Sequence, residues 1–135
     1  MITGRALRAK DRELIDAARE ALRRGFRDHR HSVAAAVRTR SGRIYLGLCV
    51  EGIHGPCAEP VAIGAAITAG DSQIESMVAV TGPGRTFPVL SPCGNCRQLL
   101  LDYAPKAEVL VRFPKGRVAR LTAEESLPAA FRTFG

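Results

Sequence analysis

The first 25 residues carry the clearest helical pattern of the chain. Their apolar residues recur every three or four positions, with charged residues between them: Leu7, Leu14, Ile15, Ala18 and Leu22. Apolar side chains at this spacing line one face of a helix, and a glycine just beyond the last of them commonly ends it. The pattern therefore predicts a first helix that stops at Gly25.

Two β-rich runs follow and are separated by a short polar turn. They extend from Ser32 to Arg38 and from Arg43 to Val50, with Thr39-Arg40-Ser41-Gly42 between them. Short runs of this kind on either side of a glycine-containing turn predict a hairpin. Three later strands are predicted at positions 76–80, 109–113 and 117–121, the last followed by an acidic turn at 124–125.

Two further helices are predicted between these strands. The run from Cys57 to Ala69 is rich in alanine and apolar nearly all round, which is typical of a buried helix, and Gly70 ends it. Cys96 to Tyr103 forms the other. Strands that alternate with helices predict an α/β fold with a layered sheet. With 135 residues and 46% hydrophobic composition, we expect one domain that spans residues 1–135.

The strongest chemical signal comes from two short motifs, Cys57-Ala58-Glu59 and Pro92-Cys93-Gly94-Asn95-Cys96. A C-x-x-C at the start of a helix brings two sulfurs to one metal ion, and a third sulfur leaves the fourth tetrahedral position for water. Zinc lowers the pKa of such a water from about 15.7 to about 7. Glu59 follows Cys57 by two residues, about half a turn around a helix, so it can move protons without binding the metal.

Other roles for these cysteines are also consistent with the spacing. Cys49 is the only other thiol, and it would complete a four-cysteine structural zinc site. It lies, however, within an apolar run that predicts a strand, and zinc ribbons usually combine two C-x-x-C pairs. A redox or disulfide role is the third alternative. The catalytic site with an open position is the interpretation that the motifs favour.

The formal net charge of +7 raises the possibility of a nucleic-acid substrate. The basic residues of the first helix are interspersed with acidic ones, and aromatic residues make up only 5% of the chain, so a platform for stacking bases is poorly supplied. A nucleic-acid partner is therefore not expected. There is neither an apolar stretch long enough for a membrane span nor a signal peptide, so we expect a cytoplasmic protein with reduced thiols.

Four segments resemble the small homotetrameric cytidine deaminase family, and within it the blasticidin S deaminases. They are Ser41-Gly42-Arg43-Ile44-Tyr45 with Gly47, Gly55-Pro56-Cys57-Ala58-Glu59, positions 91–100 (SPCGNCRQLL), and Leu127-Pro128-Ala129-Ala130-Phe131. The resemblance implies a three-layer α/β/α sandwich around a mixed five-stranded sheet. It also implies one zinc ion per chain on Cys57, Cys93 and Cys96.

The implied reaction is hydrolytic deamination of a free cytosine nucleoside or a nucleoside analogue, with cytidine, deoxycytidine and blasticidin S left open. Glu59 is the implied proton shuttle, and the implied substrate contacts are His31, Glu51, Ala58, Ser91 and Phe131. The alternatives are deamination of another aminated heterocycle or of a nucleic-acid base, and a non-catalytic zinc-stabilised binding protein.

The chain also departs from the family at positions that affect the substrate and the metal. Cys49 replaces an asparagine that grips ribose, and a thiol cannot make both of the hydrogen bonds of an amide. Pro60 replaces an arginine that offsets the thiolate charge, and Arg97 is the candidate substitute. His54 lies on a predicted loop just before the site, where it contacts either substrate or nothing.

The implied homotetramer would explain how two aromatic residues near the end of the chain are buried. Phe131 and Phe134 are large apolar groups with little sequence left to cover them. A neighbouring subunit would remove them from water, and the alternative is that they pack on their own domain.

Overall fold

The computed structural model describes residues 3–132. Along the chain the elements are α1 (Ala9–Gly25), β1 (Val33–Thr39), β2 (Ile44–Leu48), α2 (Ala58–Thr68), β3 (Ile74–Thr81), β4 (Val89–Leu90), α3 (Gly94–Tyr103), β5 (Glu108–Arg112), β6 (Val118–Thr122) and α4 (Ala123–Ser126). A 3₁₀ turn at Pro114–Gly116 joins β5 to β6. Among the described residues, none of the helices has both the length and the apolar character that a membrane crossing requires.

The strands form one mixed sheet in the order β2-β1-β3-β5-β6. Neighbouring strands run antiparallel except for β3 and β5, which are parallel. The predicted α/β fold with a mixed sheet is confirmed. The predicted strand number of five is wrong, because the two-residue strand β4 also pairs with β3 and makes the sheet six-stranded.

Helices pack against both sides of the strand β1. Its residues Ala35 and Val37 belong to the buried cluster that contains α2 and α3, whereas Ala34 and Ala36 belong to the cluster that contains α1. Successive side chains of a strand point to opposite faces, so the two clusters lie on opposite sides of the sheet. This is the distribution that a three-layer α/β/α arrangement requires.

The predicted helices and strands all occur, with shifts at some of their ends. α1 ends at Gly25 as predicted, and β3 begins at Ile74, two residues before the prediction. The predicted acidic turn is the short helix α4, because Thr122 and Glu125 cap it reciprocally. The backbone N–H of each donates to the other's side chain, at 2.8 and 3.1 Å.

A buried carboxylate fixes the start of α1 against the sheet. Asp11 is 1% exposed, and its Oδ2 accepts hydrogen bonds from the backbone N–H of Arg8 at 2.8 Å and from Nε of Arg8 at 3.1 Å. Nε of Arg120, on β6, lies 3.6 Å from the same oxygen. Burial alone would raise the pKa of Asp11, but these partners hold it below its usual value.

We predict that Asp11→Ala lowers the free energy of unfolding at pH 7 by about 2 kcal/mol, because it removes the buried acceptor of the Arg8 backbone N–H and leaves Arg8 and Arg120 with Glu108 as their remaining carboxylate partner. Asp16→Ala, at a position on the same helix that is 76% exposed, is the matched control and should change it by less than about 0.5 kcal/mol. Urea denaturation measures both.

The depressed pKa of Asp11 also sets the pH dependence of this difference. Its contribution is complete above the unfolded-state pKa of about 3.9 and is lost as pH falls through the lower native value. The gap between wild type and Asp11→Ala should therefore narrow in acid. A gap that is constant between neutral and strongly acidic pH would contradict an electrostatic role.

Candidate active site

Three thiols meet where the N-termini of α2 and α3 come together. Cys57 and Cys93 are the residues that cap these two helices, and Cys96 lies in the first turn of α3. The three Sγ atoms all lie within 4.8 Å of one another, and those of Cys93 and Cys96 are 3.6 Å apart. α3 begins at Gly94 rather than at the predicted Cys96, because Cys93 has the extended backbone of a capping residue.

The spacing of these sulfurs fits a tetrahedral zinc ion. Two sulfurs at about 2.3 Å from one zinc are separated by about 3.8 Å, close to the observed 3.6 Å. Cys49 stays apart from the cluster, since its Sγ lies 3.8 Å from the backbone oxygen of Arg30 and 4.0 Å from Oε1 of Glu51. Within residues 3–132 the cluster has three ligands and no fourth, which leaves one coordination position for water.

Gly47 determines how closely α2 approaches the sheet. A Cβ atom at this position of β2 would lie 2.4 Å from the backbone nitrogen of Ala62 and 2.7 Å from the backbone oxygen of Ala58. No side chain fits there, so only glycine allows the first turns of α2 to lie directly on β2. This contact sets the position of Cys57 and of the residues that follow it.

Glu59 lies in the first turn of α2 and is 4% exposed. Burial raises its pKa, although its own backbone N–H and the thiol of Cys96 partly oppose the shift. Pro60 follows in the same turn, where a missing N–H leaves no helical hydrogen bond unmade.

The three thiols differ in how readily they ionise. Partial desolvation raises the pKa of Cys57, which is still exposed, and burial raises that of Cys96 more strongly. Burial acts the same way on Cys93, but hydrogen bonds from the backbone N–H groups of Cys96 and Asn95 and from neighbouring thiols lower its pKa overall. Cys93 is thus the readiest thiolate, and a bound cation would supply the charge that favours ionisation of the other two.

A cavity of about 610 Å³ opens onto this cluster. Cys57, Cys93 and Glu59 form part of its wall, together with the predicted contacts Glu51, Ala58 and Ser91, and with Cys49. Val33 and Leu90 also line it, and neither was predicted from the sequence to contact substrate. The signal for Val33 was its place at the start of a strand whose alternate residues face α2. The volume lies within the range of about 300–1,000 Å³ that is common for small-molecule sites.

Other predicted contacts lie outside this cavity. His31 lines a neighbouring cavity with Gly47 and Val61, and its Nδ1 is 2.9 Å from the backbone oxygen of Cys49. Phe131 is 72% exposed, and Phe134 lies outside the described residues. His54 is exposed on the loop before α2.

Arg97 contacts backbone carbonyl groups on either side of the cluster. Its Nε donates to the oxygen of Pro92 at 2.7 Å, and its Nη1 donates to the oxygen of Ser126 at 2.9 Å. Pro92 directly precedes the ligand Cys93. The side chain therefore joins the loop that enters α3 to the helix α4.

The family model described as the cytidine and deoxycytidylate deaminase zinc-binding region matches residues 8–111. The chain belongs to this family. The resemblance deduced from the motifs is confirmed, as is the prediction of a zinc-binding deaminase domain, since the three thiols can hold one metal ion. The roles of individual residues, Glu59 among them, stay predictions.

Relatives within the deaminase family cover most of the chain. It is 37% identical over 130 residues to the blasticidin-S deaminase of Bacillus cereus. This alignment covers 90% of this chain and 92% of the relative. The chain is 36% identical over 105 residues to the cytidine deaminase of Mycobacterium tuberculosis, covering 76% and 74%. The crystal structure of the cytidine deaminase from Burkholderia pseudomallei superposes with a TM-score of 0.72 at 30% identity, covering 89% of this chain and 98% of that one.

We predict that Cys57→Ser, Cys93→Ser and Cys96→Ser each lose most of the bound zinc of this deaminase domain, whereas Cys49→Ser keeps about one zinc per chain. The physical reason is the separation of Cys49 from the cluster. Metal analysis of the four purified variants measures this. Loss of zinc from the Cys49 variant would instead indicate a closed site with four sulfurs.

Proposed function

We propose that this protein is a zinc-dependent hydrolytic deaminase of a free cytosine nucleoside or a nucleoside analogue. The observation that carries the proposal is Glu59, a buried carboxylate beside three clustered thiols in the wall of a 610 Å³ cavity. Burial of a carboxylate costs free energy, so a buried carboxylate indicates a functional role. Proton transfer next to a metal site is such a role.

When bound, zinc supplies a polarised water at neutral pH. The carboxylate of Glu59 accepts a proton from that water and donates it to the ring nitrogen next to the carbon that bears the amine. The water oxygen adds to this carbon. Glu59 then passes the second proton of the water to the amine, the carbon–nitrogen bond breaks, and ammonia leaves with a carbonyl in its place.

The walls of the cavity support the choice of a small heterocyclic substrate. We assign the base edge to the backbone of Ala58 and the departing amine to the carbonyl of Ser91. Ser91 is held in place because its Oγ donates to the backbone oxygen of Arg112 at 3.2 Å and accepts from the backbone N–H of Arg112 at 2.8 Å. A rigid partner of this kind orients the substrate before reaction.

Cys49 bears on the sugar of the substrate, because it replaces the asparagine with which the family grips ribose. Its thiol lines the cavity and offers one weak donor. The carboxylate of Glu51 accepts a hydrogen bond from Oγ of Ser32 at 3.2 Å and provides the stronger polar contact. The relative from Bacillus cereus, which is named for blasticidin S, supports including that analogue among the candidates.

Arg97 supports the site through the backbone. By bonding the oxygens of Pro92 and Ser126 it holds the segment that delivers Cys93 and Cys96. We propose that this positioning role, in addition to its positive charge, is what Arg97 contributes beside three thiolates.

The non-catalytic alternative, a zinc-stabilised binding protein, is less well supported. A purely structural zinc site is closed by four ligands, whereas here the fourth thiol contacts Arg30 and Glu51. A binding protein also gives no reason to bury the carboxylate of Glu59.

We predict that the zinc-loaded protein releases ammonia from at least one of cytidine, deoxycytidine and blasticidin S, and that Glu59→Gln lowers that turnover by about 10⁴-fold with zinc content unchanged. Purified wild type and variant would be assayed on the three amines in parallel. Asp102→Asn, an exposed carboxylate of α3, is the matched control and should retain full turnover. Near wild-type turnover in the Glu59 variant would contradict the proposed role of Glu59 in proton transfer.

We further propose a cytoplasmic homotetramer. Four cysteines remain as free thiols, which suits a reducing compartment. Beside the cavity, Ile53 is 96% exposed and Val50 and Leu90 are partly exposed, so the rim of the cavity is apolar. Together with the exposed ring of Phe131, this surface is suited to contact with other copies of the chain.

We predict that light scattering returns the mass of four chains of 14.5 kDa each, and that truncation before Phe131 or the change Ile53→Asp lowers both the mass and the turnover. In the wild type, burial of this apolar surface between subunits stabilises the assembly by roughly 25 cal/mol per Å², and both changes remove part of that surface. Tyr103→Ser, an exposed residue at the far end of α3, should leave both unchanged. A fully active monomer would rule the assembly out.

A further inference from the structure

A second cavity, of about 430 Å³, lies between α1 and the strands β4, β5 and β6. Val89 lines it, whereas the next residue of β4, Leu90, lines the cavity beside the thiols. Consecutive side chains of a strand point to opposite faces, and Val89 belongs to the buried cluster that contains α1. The two cavities therefore lie on opposite sides of the sheet.

Arginines reach this second cavity from two of its walls. Arg12 and Arg19 are seven positions apart on α1, which places them on the same face two turns apart. Arg112 comes from the end of β5, and its guanidinium lies over Gly116, with Nη2 3.6 Å from where a Cβ of that residue would be. Gly116 has a φ of +85° and leaves room for the guanidinium.

The charges of these arginines are only partly balanced. Arg19 donates from Nε to the backbone oxygen of Phe87 at 3.0 Å, and its Nη1 lies 3.9 Å from Asp16, the one carboxylate among the described residues that lines the cavity. Within residues 3–132, the side chains of Arg12 and Arg112 have no hydrogen-bond or ion-pair partner. Three guanidinium groups and one carboxylate leave the cavity with a net positive charge.

We propose that this cavity binds the phosphate group of a phosphorylated small molecule, at a site separate from the deamination site. A guanidinium presents its N–H donors in a planar fork that matches phosphate oxygens, and forks from two walls can hold one anion between them. The volume lies within the range of about 300–1,000 Å³ that is common for ligand sites. The alternative is that these arginines are only solvated surface residues of a basic protein. The two explanations differ in their predictions: a phosphate site is weakened by loss of an arginine and strengthened by loss of Asp16.

The probes are inorganic phosphate, pyrophosphate and cytidine 5′-monophosphate, titrated calorimetrically into the zinc-loaded protein at low ionic strength, with cytidine as the unphosphorylated comparison. We expect saturable binding that weakens with added salt. Arg12→Gln and Arg112→Gln should each weaken it about tenfold, the effect of losing one charge-assisted contact. Asp16→Asn should tighten it, because a repulsive carboxylate is removed.

Several controls keep the outcome decisive. Arg85→Gln removes an exposed arginine outside the cavity and should leave binding unchanged. Arg112→Lys keeps the charge without the fork and should have an intermediate effect. Thermal melting verifies folding, and turnover in phosphate-free buffer should be unchanged in the Arg12 variant.

Three results would overturn the proposal. The first is the absence of saturable phosphate or pyrophosphate binding. The second is binding that none of the cavity variants alters, which would place the anion outside this cavity, at the metal or at another basic site. The third is an oligonucleotide without terminal phosphate that binds through the same arginines more tightly than pyrophosphate does, which would indicate a nucleic-acid surface.

Discussion

The meeting of two helix N-termini is the constraint on which the rest of this structure depends. Cys57 and Cys93 are capping residues, so their thiols project from the ends of α2 and α3, where backbone N–H groups and helix dipoles favour negative charge. The third thiol, Cys96, comes from the first turn of α3. These helices can present three sulfurs to one ion only if α2 lies directly on the sheet, and Gly47 is the residue that permits this contact.

The same arrangement concentrates groups that are costly to bury. Glu59 and Cys96 are removed from water, and burial raises the pKa of each, which favours the neutral form. A bound cation reverses that preference for the thiols, so metal binding and the stability of this end of the molecule are coupled. Arg97, through the carbonyl groups of Pro92 and Ser126, helps to hold the geometry in which that coupling operates.

The chemistry was predictable from the sequence because it resides in short local motifs. Cys57 and Glu59 are two residues apart, and Cys93 and Cys96 are three apart, so their relative placement follows from helix geometry alone. The cavity walls were less predictable, since they depend on contacts between distant segments. Leu90 belongs to the two-residue strand β4, which is too short for any alternating pattern. This is also why the sixth strand of the sheet was not predicted. His31 was predicted to face the substrate; its ring hydrogen-bonds the backbone of Cys49 and lines a neighbouring cavity, and its contact with substrate stays a prediction.

The most direct test of an open three-sulfur metal site is X-ray absorption at the zinc edge of the purified protein. The account predicts three sulfur atoms at about 2.3 Å and one lighter atom, oxygen or nitrogen, at about 2.0 Å from the metal. The lighter atom should exchange for an inhibitor or substrate analogue while the three sulfurs remain. A shell of four sulfur atoms would contradict the account, because such a site is closed and has no position for water.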